Sequence, residues 1–364
     1  VYPALAVVQS LKRLCADAGE SLELLWVGSI GGMEQALVER AGLPIELIPA
    51  AAIRGRNPLK AAQNLWTIRA GVRRSRRIIE QFRPEALFVT GGYVCVPVTL
   101  AAHKSGVPSL IYLPDVEPGL AIKFLARYAR KVAVTTPDSL EFFRPGQGVV
   151  TGYPVRAELS AGGVAGPAHR NAARQKLGLA PDVPVLLVFG GSRGARSINT
   201  AVAAQIEAYL AAAQVVHITG ALDAAQIQAR RAQLAVDLQA RYHVFDYLHE
   251  EMPAALLAAD LVVSRAGASV MGEFPAAGLP AVLVPYPHAG AHQTLNANYL
   301  ARHGAAVVVN DADLESMLKE TVLQRLTNPE TLQGMRRAAV ALSKPEAADR
   351  LAREILEVRN RGTT

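Results

Sequence analysis

The 364-residue chain has only two cysteines, Cys15 and Cys95. That is too few for a disulfide framework or a thiolate metal cluster, and it points to a reducing cytoplasm. No run of 18 apolar residues occurs, which excludes a spanning helix of ordinary length. Aromatic residues make up 5% of the chain and charged residues 19%. What remains is apolar (51%), dominated by Ala, Val and Leu. Such a composition suits an α/β protein with parallel strands covered on both faces, at a length that accommodates about two domains.

Charge is unevenly placed. The chain carries +7 overall, and residues 1–150 hold most of the surplus. Between Arg54 and Arg83 lie nine basic residues and one acid, Glu80. Helical apolar spacing at Leu65, Ile68, Val72 and Ile79 predicts an amphipathic helix there, with Trp66 on another side. A basic amphipathic helix bearing a Trp fits an anionic membrane surface; a solvated basic face over an ordinary core stripe fits equally. Nucleic acid is not expected, because aromatic residues do not interleave with the arginines.

Strand-like and helical stretches alternate along the whole chain. Strands are predicted over Leu22–Gly28, Ala86–Thr90, Ser109–Leu113 and Lys131–Thr135. A second set is predicted over Val183–Phe189, Val215–Thr219, Val244–Tyr247, Leu261–Val263, Ala281–Val284 and Ala306–Val309. The alternation implies two doubly wound, Rossmann-like parallel sheets facing a cleft, joined near the Gly-rich stretch Glu158–His169. The expected domains are residues 1–156 on the acceptor and membrane side, 157–343 for the nucleotide sugar, and a final helix, 344–364, returning to the first. Val1 leads directly into a helix-like stretch, so a first strand and its turn are expected upstream.

The richest segment is Ser264-Arg-Ala-Gly-Ala-Ser-Val-Met-Gly-Glu273, which follows an apolar run and reads as strand, Gly turn and helix start. Backbone amides and the positive end of a helix then suit a phosphate. Glu273, one to two turns in, suits a sugar hydroxyl. Gln293 and Asn296, beyond the next strand, supply amide donors and acceptors to a second polar ring. Together these residues outline a nucleotide-sugar site.

Weaker signals lie elsewhere. Gly190-Gly-Ser192 with Gly194 makes a second Gly-rich turn after a strand, where Ser192 can meet a phosphate; a tight connection is the other reading. Gly91, Gly92 and Tyr93 form the equivalent turn of the first half, with the same two readings. Arg156 can hold a phosphate or a base through its planar fork, or be a surface arginine. His249 ends a strand-like run, where a base can pack. Asp115, just after a predicted strand with Glu117 nearby, is a candidate catalytic base or a loop residue. His288 and His292 flank a Gly, which argues against a helix-borne metal pair, and no metal is assigned.

In combination these features resemble one family: the bacterial UDP-N-acetylglucosamine transferases that convert lipid I to lipid II in peptidoglycan synthesis (the MurG family). The matching stretches are Val1-Tyr-Pro-Ala-Leu-Ala6, Gly91-Gly-Tyr93 with Pro97, Gly152-Tyr-Pro-Val-Arg156, Gly190–Ala195, Ala266-Gly-Ala268 with Glu273, Ala277-Gly-Leu-Pro280, and His288 through Asn296. They fall in the family's order over nearly the whole chain. The resemblance implies a two-domain glycosyltransferase fold of the B type without a tightly bound metal. It implies an inverting transfer of N-acetylglucosamine from its UDP donor to a polyprenyl-diphosphate-linked muramoyl peptide, at the cytoplasmic face of the membrane.

Carried over, the donor contacts are Arg156, Ser192, His249, Ala268, Ser269, Val270, Met271, Gly272, Glu273, Gln293 and Asn296. Glu273 would take the ribose hydroxyls, and Gln293 and Asn296 the N-acetylglucosamine. Gly91, Gly92 and Tyr93 fall on the acceptor side. The family carries a catalytic His immediately before the segment that opens this chain, so activity of these 364 residues alone is expected to be impaired. Tyr112-Leu-Pro-Asp115 stands where the family has His-Glu-Gln-Asn, so Asp115 takes the place of an amide that can both donate and accept, and the acceptor contact made there is expected to differ. A different lipid or glycoside acceptor, a UDP-N-acetylglucosamine 2-epimerase and a non-catalytic sensor are the competing readings.

Overall fold

The computed structural model describes residues 1–32, 34–51, 58–162, 167–191, 194–288 and 292–360; for 58–62, 160–162, 167 and 360 it describes the backbone alone. The chain divides into two compact units, Val1–Pro154 with Glu346–Thr364, and Val155–Pro345. The first boundary falls two residues earlier than the sequence suggests, so Arg156 belongs to the second unit.

In the first unit, β1 (Trp26–Ser29) pairs in parallel with β2 (Ile45–Ile48). A separate parallel sheet has the order β3 (Leu87–Val89), β4 (Ser109–Leu113), β5 (Lys131–Val134), β6 (Gly148–Val150). Its centre is apolar on both faces: all five residues of β4 are buried. A cavity of about 570 Å³ lies between the two sheets, lined among others by Leu25, Val27, Phe88 and Val89. The helix Ala347–Asn360 completes this unit by packing on the helix Tyr2–Asp17, burying Leu351, Ala352 and Val358. Lys131 pairs with Glu354 and Glu357, and Arg359 with Glu20, around that buried stripe.

The basic segment forms one helix, Pro58–Phe82. Ile78 and Ile79 are buried, and Ile68 and Val72 pack on core clusters. The apolar spacing places Leu65 in that stripe, but the structure leaves it 57% exposed beside Trp66, which is 73% exposed. The first described turns of the helix therefore show apolar side chains to solvent, while the later turns carry the core contact.

Among the described residues the second unit holds a six-stranded parallel sheet. Its strands are β7 (Val185–Phe189), β8 (Gln214–Ile218), β9 (Tyr242–Phe245), β10 (Leu261–Ser264), β11 (Ala281–Leu283) and β12 (Ala306–Val308). Their order is β12-β11-β10-β7-β8-β9. Numbered within the unit this is the 3-2-1-4-5-6 arrangement, and chain order reverses between β7 and β10. Phe189 and Ser264, the last residues of those strands, are register partners. Both Gly-rich turns therefore start side by side at the point where such sheets bind ligands.

A buried polar chain braces β8 and β9. Asn199 commits both amide hydrogens, to the Thr219 carbonyl (2.8 Å) and Asp223 Oδ2 (2.9 Å). Its Oδ1 therefore accepts from His217 Nε2–H at 3.0 Å, and His217 Nδ1 accepts the Tyr242 hydroxyl at 2.8 Å. Burial holds the imidazole pKa down at about 3 against the ordinary 6.5, with Asp223 opposing weakly. A depressed histidine stabilises the fold fully above 6.5, and that contribution is lost as pH falls toward 3, at about 1.4 kcal/mol per pH unit. Denaturation midpoints should accordingly fall more steeply with acid for the parent than for His217→Gln. Equal slopes between pH 7.5 and 5 would refute this reading.

Candidate functional site

The site grows from β10. After Ser264 the chain turns through Arg265-Ala-Gly-Ala-Ser269 and enters the helix Val270–Ala277. Local bonds close the turn: Val270 N–H donates to the Gly267 carbonyl and Met271 N–H to that of Ala268, both at 3.1 Å. Among the described residues no backbone acceptor meets the amides of Ala268 and Ser269. Those donors and the helix's positive end make an anion seat. Buried Phe274 sets the helix against β7 by an edge contact with Phe189, their ring centroids 6.1 Å apart. Gly278 stops the helix at φ +56°, a left-handed conformation that glycine adopts without strain.

Glu273 faces this seat from the first turn. Burial pushes its carboxyl above the usual range, while Arg156 and the Ser269 hydroxyl pull it back. Arg156 lies 3.8 Å from Glu273 Oε1 and donates to the His249 carbonyl at 3.4 Å. Three residues 93 and 24 positions apart in sequence thus converge within one unit. His249 contributes its backbone oxygen, and its ring stacks obliquely on Tyr247, centroids 4.4 Å apart. Val270, Met271 and Gly272 are buried, so they offer packing and backbone rather than side chains.

The turn after β7 is compact. Gly194 has φ +73°, and a Cβ there would come within 2.2 Å of the Thr219 carbonyl oxygen. Glycine is therefore required by the connection itself. Ser192 lies outside the described residues.

The two amides part company. Gln293, on the helix His292–Arg302, accepts the Tyr286 N–H at 2.9 Å through Oε1. That bond leaves the NH₂ as the donor end of the amide. Asn296 is 0% exposed and donates Nδ2–H to the Ala266 carbonyl at 3.1 Å. That bond ties the helix to the β10 turn, at the place where the sugar contact of Asn296 is expected.

The first unit keeps the other expected residues. Gly91 and Gly92 adopt φ +105° and +91° just beyond β3, with Tyr93 exposed. Cys95 Sγ–H donates to the Gly91 carbonyl at 2.6 Å, and burial pushes this thiol up to about 12. Asp115 leaves the neighbouring strand β4 at the same, carboxyl end of the sheet. Glu117 is committed to Lys123 at 2.8 Å. Tyr112 is core: its hydroxyl shares a 2.9 Å hydrogen bond with Thr135 Oγ1. Sequence reasoning quoted Arg265 without a role and passed over Ser197, Tyr286 and Asp311. Their partners lie up to 114 positions apart, a separation with no local signal.

With this geometry in place, comparison with known proteins decides the family. Residues 1–134 match the glycosyltransferase family 28 N-terminal domain, and residues 185–351 its C-terminal domain. A Roseiflexus protein named UDP-N-acetylglucosamine–N-acetylmuramyl-(pentapeptide) pyrophosphoryl-undecaprenol N-acetylglucosamine transferase is 44% identical, over 97% of this chain and 91% of its own length. The chain belongs to the MurG family of glycosyltransferases. The crystal structure of Acinetobacter baumannii MurG superposes with a TM-score of 0.73 at 27% identity, covering 98% of this chain and 96% of that one. The fold is thus the two-domain B type of glycosyltransferases. A Neisseria meningitidis UDP-GlcNAc 2-epimerase, bound to UDP-GlcNAc, shares the fold (TM-score 0.66, 97% and 95% coverage) at only 13% identity. In a MurG-family chain the switch point between β7 and β10 is where a nucleotide sugar is expected.

Proposed function

We propose that this MurG-family enzyme moves N-acetylglucosamine from UDP-N-acetylglucosamine to the muramoyl C4 hydroxyl of undecaprenyl-diphospho-N-acetylmuramoyl-pentapeptide, turning lipid I into lipid II. The observation that carries it is the 44% identical relative of that name, together with the anion seat at the switch point. The hydroxyl attacks the anomeric carbon from the face opposite the leaving diphosphate, which inverts the centre. Negative charge then grows on UDP, and the Ala268 and Ser269 amides with the helix end are aimed to receive it. Glu273 takes the ribose hydroxyls and Arg156 steadies that carboxylate. Gln293 presents its NH₂ to the sugar, and Asn296 keeps the turn in place. No metal is needed in this arrangement, because amides and a helix end supply the positive potential. The first unit carries the acceptor, with Gly91, Gly92 and Tyr93 lining its approach and Asp115 taking the proton.

The test is transfer of labelled N-acetylglucosamine to a lipid I analogue by the full-length protein, with release of UDP. Normal donor binding without transfer would remove the assignment.

The lipid acceptor calls for membrane attachment at the cytoplasmic face. Among the described residues no helix is long and apolar enough to cross a bilayer. Exposed Trp66 and Leu65, with Arg73, Arg74, Arg76 and Arg77 on the same helix, suit a peripheral contact with anionic lipid. Arg74 and Arg76 hold exposed ion pairs to Glu46 and Glu80, which anionic headgroups can replace. Changing the four arginines to Gln should cost about 1 kcal/mol of vesicle affinity each, and the loss should shrink as salt rises. Unaltered binding to phosphatidylglycerol vesicles would leave only a solvated helix.

A further inference from the structure

Arg265 sits in the turn after β10, and both of its terminal nitrogens are engaged within the protein. Nη1–H donates to Asp311 Oδ1 at 2.5 Å and to the Val284 carbonyl at 3.2 Å. Nη2–H donates to Ser197 Oγ at 2.7 Å. Ser197 in turn donates to Asp311 Oδ1 at 2.7 Å. The guanidinium also lies over the Tyr286 ring, 5.2 Å from its centroid. One planar fork therefore gathers the end of β11, the helix after β7 and the turn after β12. Its charge is balanced by Asp311, which removes it as a general phosphate attractor.

The consequence runs through Tyr286. Its ring rests on Arg265, and its backbone N–H donates to Gln293 Oε1. A glutamine side chain flips between two orientations that exchange donor and acceptor. Tyr286 chooses between them, so Gln293 keeps its NH₂ as the donor end only while Tyr286 stays seated. We infer that Arg265 is a positioning residue for the sugar half of the donor, acting through Tyr286 on Gln293 and thereby favouring a sugar with acceptor oxygens at that point. This rests on the assignment of Gln293 to the sugar made above. The nucleotide half should depend on Arg265 less, since Ser197 keeps its own bond to Asp311 when Arg265 is replaced.

The experiment is calorimetric binding of UDP and of UDP-N-acetylglucosamine to the full chain. Arg265→Lys retains charge but loses the fork; it should weaken UDP-N-acetylglucosamine about tenfold and UDP less than threefold. In a Gln293→Ala background the same change should lose that selectivity, because the group it acts through is gone. Tyr286→Leu leaves the Arg265–Asp311 pair intact, and its partly exposed ring makes it the variant of choice if Arg265→Lys folds poorly; it should show the same selective loss. Equal weakening of both ligands, or a selective loss that persists without Gln293, would overturn the inference. Glu273→Ala is the check on the donor site itself: if it leaves UDP affinity unchanged, the donor assignment falls, and this inference with it.

Discussion

Asp115→Ala is expected to slow glycosyl transfer by roughly 10²–10⁴-fold, the range a positioned general base contributes, while UDP-N-acetylglucosamine binds with unchanged affinity. The acceptor hydroxyl must lose a proton as it attacks, and a methyl group cannot take it. Asp115 is held for such a role from both sides. The strand before it is buried throughout, with Tyr112 tied to Thr135, and the carbonyl of the next residue, Val116, accepts the Ser139 hydroxyl at 2.7 Å. Nearby Glu117 is already paired with Lys123. Donor binding should be indifferent, since Arg156, Glu273 and Gln293 all belong to the other unit. Initial rates at saturating donor, beside calorimetry with UDP-N-acetylglucosamine, separate the two effects. A loss below tenfold would move proton removal to another group.

Glu273→Ala should weaken the donor by about 1–3 kcal/mol, roughly 5- to 150-fold. The carboxylate is costly to keep where it is: burial raises its pKa, and Arg156 and the Ser269 hydroxyl offset only part of that. A carboxyl raised in the fold lowers stability as pH climbs through its unfolded value, 4.5, toward its folded one. A group kept against that gradient is the kind found where a ligand needs it. The same shift sets the pH dependence of binding. Donor affinity should begin to fall on acidification at a higher pH than an ordinary carboxylate would give, and Glu273→Gln should flatten that fall. Calorimetry between pH 8 and 5 checks both points. An unchanged affinity for Glu273→Ala would remove the ribose assignment.

Sequence pattern located the central strands, which are buried on both faces, and also half-buried ones such as Leu87–Val89. Ser109–Leu113 is found to the residue, and Val185–Phe189 and Leu261–Ser264 within two, because an unbroken apolar run is readable without its partners. Two escaped notice, Ile45–Ile48 and Gly148–Val150. Each is a sheet-edge strand of four residues or fewer with a single neighbour, so burial imprints little pattern on it. Leu22–Leu25 failed in the opposite sense: three of the four residues are leucines, but the ladder with β2 begins only at Trp26. Leu65 shows the limit of helical spacing, which reports a stripe without saying where its cover ends.

From the residues alone came the α/β class, two Gly-rich turns after strands, the helix start at Ala268–Glu273 and the family that these motifs share in order. Local chemistry suffices for those, since a turn that must pass close to a phosphate or a neighbouring backbone needs glycine within a few positions. The tertiary structure alone decided that β7 and β10 lie side by side, that Arg156 meets Glu273, that Asn296 is sealed against Ala266, and that Arg265 seats Tyr286 under the control of Asp311. These contacts join residues 21 to 117 positions apart. Their distances are set by how a sheet orders its strands, and no window of sequence contains that order.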